Sequence, residues 1–127
     1  MICISYDGKV REVAYGGDYT QLYREGNYET FDVVRLRHGL AMYVDDEGLL
    51  KDGCENRVNW KAIYLRLNEW MSRQRDIAWN ANALNACPPF IVGDVCILAT
   101  SDKGEAVEPS PSQRKFILEL LGEEVAR

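Results

Sequence analysis

Histidine is nearly absent from this chain of 127 residues, and the common catalytic motifs are missing with it. His38 is the only histidine, no nucleophile elbow is present, and the glycine pair in residues 15–19 lacks the lysine of a phosphate loop. Asp32 and Asp45 are near His38 in sequence, but His38 falls at a predicted hairpin turn. We therefore expect a protein that is not an enzyme, with an enzyme of unassigned chemistry as one alternative.

The cysteines also lack the spacing of a metal site. There is no Cys-x-x-C pair and no histidine cluster to complete a ligand set. A reducing cytosol keeps such thiols free. We expect no metal, no cofactor and four free thiols, at Cys3, Cys54, Cys87 and Cys96.

Positive charge and long apolar runs are scarce as well. The chain has 15 Lys and Arg against 20 Asp and Glu, which disfavours a general affinity for nucleic acids or anionic membranes. No stretch approaches the roughly 18 apolar residues of a membrane span. Residues 1–13 do not resemble a signal peptide. We expect a cytoplasmic protein without membrane contact.

Enough apolar residues remain for one core, since 46% of the chain is hydrophobic. We predict a single domain, 1–127, that begins with two strands around Asp7-Gly8. A short helix at about 19–25 follows, with Asp18 and Gln21 as a capping box and Gly26 as its end. Two strands joined at His38-Gly39 come next, then a short extended piece and a loop at about 49–58.

The second half of the chain predicts a long helix over 59–79 with Asn59 as its cap, and a strand from the apolar run 90–100. Ser110, Pro111 and Gln113 are typical of the start of a last helix. The fold class is therefore α+β: a mixed, mainly antiparallel sheet of about five to six strands with a short N-terminal helix, a long central helix and a C-terminal helix.

The long helix has an apolar stripe and a basic side. The positions of this stripe recur every three or four residues, at Trp60, Ile63, Leu67, Trp70, Gln74, Ile77 and Ala81, all apolar except Gln74. The other side carries Lys61, Arg66, Arg73 and Arg75. One interpretation is an ordinary amphipathic helix with both tryptophans in the core. The other is a partner surface, because Trp and Arg are enriched among binding hot spots.

Three short motifs elsewhere occur in a recognisable order. They are Asp46-Glu47-Gly48 after a strand, Asn56-Arg57 in a loop, and Gly93-Asp94 before a returning strand. Together they resemble the family catalogued as domain of unknown function 3846, which occurs in phages and other mobile elements. Residues 59–89 form a helix-plus-loop insertion relative to that family. The resemblance implies a setting in which small proteins without chemistry bind and block host factors.

We therefore predict a non-catalytic phage or mobile-element accessory protein that blocks a host protein in the bacterial cytoplasm. A defence nuclease, of the restriction or CRISPR type, is the expected target. The predicted partner-binding residues are Arg66, Arg73, Arg75, Trp79, Asn80 and Asn82. A homo-oligomer is an alternative, which an apolar patch left over once the sheet is covered would indicate.

A group of tyrosines supports an alternative function. Four of the seven tyrosines fall within residues 15–28, and tyrosine suits recognition surfaces. A protein that binds or sequesters a nucleotide signal would stack a base on these rings and hold phosphate with arginine. The residues of that site would be Tyr15, Tyr19, Tyr23, Arg35 and Arg37. The simpler interpretation is that Tyr19 and Tyr23, four residues apart, pack on the sheet.

Overall fold

The computed structural model describes residues 1–73 and 91–123, which form one sheet with helices on both faces. The strand order is β2-β1-β5-β4-β3, and β6 pairs with the end of β5. The strands are β1 (Ile2–Ile4), β2 (Val10–Glu12), β3 (Phe31–Arg35), β4 (Leu40–Asp45), β5 (Val95–Thr100) and β6 (Ala106–Val107). This confirms the α+β class. All pairings between these strands are antiparallel, so the sheet is antiparallel rather than mixed.

The helices divide the apolar residues into two cores. The helices are α1 (Thr20–Gly26), α2 (Trp60–Arg73) and α3 (Pro111–Leu120). Side chains from α2 and α3 cover one face of the sheet, and α1 with several tyrosines covers the other. Because β4 and β5 are buried on both faces, their sequences are continuously apolar instead of alternating.

Both predicted hairpins are present. Gly8, with a φ of 93°, lies in the turn between β1 and β2. His38 and Gly39, with φ values of 62° and 71°, lie between β3 and β4, where the Leu40 N–H donates to the Arg37 carbonyl. The predicted capping box of α3 is also confirmed, with Ser110 as its cap.

Three local predictions are wrong. The piece at 49–58 is not extended, because it contains two 3₁₀ turns, Gly48–Leu50 and Cys54–Asn56. The capping box at α1 does not form: Asp18 accepts from the Thr20 N–H, and the Gln21 amide bonds to the backbone of residues 14 and 16. Asn27 rather than Gly26 adopts the left-handed conformation that ends α1, with a φ of 54°.

Over the described residues, 1–73 and 91–123, no helix is both long enough and apolar enough to pass through a lipid bilayer.

Candidate functional site

The position of α2 is fixed by its buried cap, Asn59. The Asn59 Oδ1 accepts the Ala62 N–H at 3.1 Å, as predicted for a cap. Its Nδ2 donates to the Ile4 carbonyl at 3.0 Å and to the Gly93 carbonyl at 2.9 Å. One amide group therefore joins the start of α2 to the end of β1 and to the segment that leads into β5.

The buried side of α2 contains a charge. Ala62, Leu65 and Glu69 face the sheet, and the Glu69 carboxylate accepts from the Arg37 backbone N–H at 3.0 Å and from its Nε at 3.2 Å. The Arg37 guanidinium also donates to Asn68 Oδ1 at 2.7 Å. These bonds compensate the desolvation of Glu69. They attach the β3–β4 turn to α2.

We expect the Glu69–Arg37 pair to contribute a coupling free energy of about 1–2 kcal/mol, because one partner is buried and the other is partly exposed. A double-mutant cycle with Glu69→Gln and Arg37→Gln, read by urea unfolding, measures it. The cycle with Lys115→Gln and Glu119→Gln, an exposed pair four residues apart on α3, is the control and should give less than about 0.5 kcal/mol. Equal coupling in the two cycles would contradict a structural role for the buried pair.

The opposite side of α2 is apolar and exposed. Steps of four, three and four residues place its four large side chains along one side of the helix. Their exposed fractions are 66% for Trp60, 48% for Tyr64, 41% for Leu67 and 60% for Met71. We call these four residues the α2 surface. The interpretation that places both tryptophans in the core is therefore wrong for Trp60, and Trp70 is only partly buried.

The C-terminal end of α3 extends this apolar area. Trp60 and Tyr64 share a shallow cavity of about 300 Å³ with Leu120 and Leu121. Lys61 lines the same cavity, but its Nζ donates to the Gly8 carbonyl at 2.6 Å and to the Glu123 carboxylate at 2.7 Å. The charge of Lys61 at this end of the α2 surface is therefore paired within the chain.

Among the predicted partner-binding residues, Arg66 is the one whose surroundings the structure describes. It is half-buried and lines a cavity of about 160 Å³ together with Asp32, Asp45 and Asp46. These nearby carboxylates favour a structural role for Arg66 within the protein. Arg73 is the last described residue of α2. The other predicted partner-binding residues, Arg75, Trp79, Asn80 and Asn82, lie outside the described residues.

The predicted ligand-binding residues are divided between the two faces of the sheet. Tyr15 and Tyr23 pack against the core under α1, whereas Tyr19 is exposed, so Tyr19 and Tyr23 do not pack on the sheet as a pair. Arg35 shares that face: burial raises the pKa of Tyr43, nearby Tyr15 adds to the rise, and the charge of Arg35 opposes it. Arg37 belongs to the other face, where it is bound to Glu69.

The described ranges bring no three His, Cys, Asp or Glu side chains together as a metal ion would require. Comparisons with family models, with curated proteins and with solved structures find no match. The resemblance to the mobile-element family stays a prediction. What the structure itself defines is an antiparallel α+β domain whose most unusual exposed feature is the α2 surface.

Proposed function

We propose that this chain is a protein-binding module and that the α2 surface is its contact area. The observation behind the proposal is the alignment of four large apolar side chains, each more than 40% exposed, on one side of a 14-residue helix. Single exposed apolar residues are ordinary on soluble proteins, but a contiguous apolar stripe is typical of an interaction site.

The spacing of the α2 surface suggests how a partner binds. Positions 60, 64, 67 and 71 follow the i, i+4, i+7, i+11 pattern of a helix that lies in an apolar groove. Trp60 and Tyr64 are of the residue types that dominate binding hot spots. Leu67 and Met71 extend the α2 surface along the helix. The partner we propose therefore presents an apolar groove long enough for about three helical turns.

The target class rests on the resemblance to mobile-element proteins. In that setting the chain acts in the bacterial cytoplasm by covering a surface of a host protein, with a defence nuclease as the favoured target. The other predicted partner-binding residues, Arg73, Arg75, Trp79, Asn80 and Asn82, stay part of the proposal as further contacts outside the α2 surface. The mechanism is steric occupation of the target and needs no chemical step.

The test is a paired substitution on the α2 surface. Leu67→Glu with Met71→Glu places two charges on the apolar stripe, so we expect at least a 100-fold rise in the Kd for the partner, on the order of 3 kcal/mol. The melting temperature should change by less than about 3 °C, because both side chains are exposed. The partner is identified by proteomics after purification of the tagged chain from a bacterial lysate. The Kd is then measured with purified components.

Leu50→Glu is the matched control, because Leu50 is also an exposed leucine but lies in a 3₁₀ turn outside the α2 surface. It should leave the Kd unchanged. Full binding by the double variant would overturn the proposal. Native mass spectra that show a homodimer split by the same two substitutions would also overturn it, since a second copy would then cover the stripe.

Small-molecule binding is the second candidate, supported by the shared face of Tyr15, Tyr23 and Arg35. It is the weaker candidate because Arg37, one of its two predicted phosphate ligands, is held by Glu69 on the other face. Native spectra in which the chain carries a few hundred daltons of extra mass, with no protein partner, would favour it over the α2 surface.

A further inference from the structure

Two cysteines face each other in the core under α1. Cys3 on β1 is directly opposite Cys96 on β5, their sulfurs are 3.7 Å apart, and both are buried. The other cysteine in the described ranges, Cys54, lies in the 3₁₀ turn Cys54–Asn56 and contacts the Leu49 carbonyl. The arrangement is therefore a pair of thiols fixed on neighbouring strands.

The backbone pattern shows what kind of pair this is. Met1 and Val13 exchange both backbone hydrogen bonds, and the Ser5 N–H donates to the Lys9 carbonyl. The backbone N–H and C=O groups of Met1 and Ser5 therefore point toward the β2 side. Because this direction alternates along a strand, those of Cys3 point toward β2 as well. Cys3 and Cys96 therefore exchange no backbone hydrogen bonds with each other, although they are directly opposite on β1 and β5. In such pairs the Cα atoms are about 4.5 Å apart, within the range that a disulfide spans.

We propose that Cys3 and Cys96 are an oxidisable pair that a peroxide converts into a disulfide between β1 and β5. In the first step the Cys3 thiolate attacks one oxygen of hydrogen peroxide, the O–O bond breaks, and the other oxygen leaves as hydroxide and takes up a proton to form water, so that Cys3 becomes a sulfenic acid. In the second, the Cys96 sulfur attacks the Cys3 sulfur, the S–S bond forms and water leaves. Overall the two thiols lose two electrons and two protons, and hydrogen peroxide is reduced to two molecules of water.

The surroundings of the two sulfurs give them different roles. The hydrogen bond between the two thiols lowers the pKa of Cys3, and the charge of Arg11 lowers it further against the effect of burial. The hydrogen bond with Cys3 and burial both raise the pKa of Cys96. Arg11 is also the residue of β2 directly opposite Cys3, so Cys3 is the thiol that attacks, and Cys96 supplies the resolving sulfur 3.7 Å away.

Burial determines how the reaction proceeds. Leu22 and Tyr28 belong to the same core and shield the pair from solvent. Peroxide must reach Cys3 through openings of this layer, so the first step is slow. Cys96 then captures the sulfenic acid before a second peroxide arrives, which favours a disulfide over sulfinic acid.

The experiment uses the full chain with Cys54→Ser and Cys87→Ser, so that only the proposed pair can react. After hydrogen peroxide treatment we expect a mass lower by about 2 Da, a linked peptide containing Cys3 and Cys96 in non-reducing maps, and recovery with a thiol reductant. Because the crosslink closes a long loop, the melting temperature should rise by roughly 5–15 °C.

Cys96→Ser in the same background is the control, and it should lose the crosslink and accumulate over-oxidised Cys3. Two results for the protein with only Cys54→Ser and Cys87→Ser would overturn the proposal. One is that both thiols are still alkylated on unfolding after prolonged peroxide treatment. The other is that Cys3 gains two or three oxygens without any crosslinked peptide.

Discussion

Replacement of Asn59 by alanine is expected to lower the free energy of unfolding by about 3–5 kcal/mol. The substitution removes the cap of the Ala62 N–H and leaves the carbonyls of Ile4 and Gly93 without their donor. No buried side-chain nitrogen or oxygen in the described ranges lacks a partner, so the site has no spare group to compensate. Thermal unfolding should show a melting temperature lower by more than about 10 °C.

Asn59→Asp separates the two roles of this side chain. Aspartate keeps an acceptor for the Ala62 N–H but turns a second oxygen toward two carbonyls, so we expect a loss at neutral pH at least as large as that of Asn59→Ala. Stability should recover in part in acid, where a protonated carboxyl can donate one hydrogen bond. Asn56→Ala, at an exposed position of the preceding 3₁₀ turn, is the control and should change stability by less than about 0.5 kcal/mol. A loss below about 1 kcal/mol for Asn59→Ala would refute this role.

Asn59 also illustrates which parts of the fold local sequence can predict. Its cap, the Ser110 capping box and the two hairpin turns follow from short-range chemistry, because each depends on residues a few positions apart. The bonds from Asn59 to Ile4 and Gly93 join residues 55 and 34 positions apart, and nothing in the local pattern indicates them. These local features were therefore predictable, whereas the long-range bonds of Asn59 were not.

The interpretation that buries the Trp60 stripe of α2 was only partly right, because Ile63 is buried but Trp60 and Leu67 are exposed. The helix is apolar on two sides, and the side with the larger residues, which includes Trp60 and Leu67, is the exposed one. The buried side contains Ala62, which allows close approach to the sheet, and Glu69, whose charge is compensated by Arg37. In a helical pattern, a glutamate indicates the side that faces solvent. Its distant partner Arg37, 32 positions earlier, compensates this charge.

The candidate site was predictable only in part for the same reason. The sequence indicated α2 as the partner-binding element, and the i, i+4, i+7, i+11 series of the α2 surface was present in it. However, Arg66 and Arg37 looked like exposed binding residues, and both have carboxylates close by in the fold. Such pairings depend on tertiary structure, so an arginine in a sequence does not reveal whether it binds a partner or the protein's own carboxylates.

Gly26→Ala is expected to destabilise the protein by about 2–4 kcal/mol, although alanine normally favours a helix over glycine. A Cβ at position 26 would overlap three ring carbons of Tyr28, the farthest of them only 2.7 Å away. That ring is buried and contacts Tyr23 and Phe31, so it cannot move without disturbing the aromatic cluster under α1. The φ of Gly26 is not positive, so steric overlap rather than backbone strain accounts for the effect.

Two comparisons make the Gly26 prediction specific. Gly16→Ala is the matched control, because a Cβ there meets only the flexible Gln21 side chain at 3.8 Å. Removing the ring should reverse the sign of the effect: in a Tyr28→Ala background, Gly26→Ala should stabilise α1 by up to about 1 kcal/mol. Urea unfolding of the four proteins measures this coupling. If Gly26→Ala lowers the free energy of unfolding equally with and without the Tyr28 ring, the tight contact between Gly26 and Tyr28 does not account for the effect.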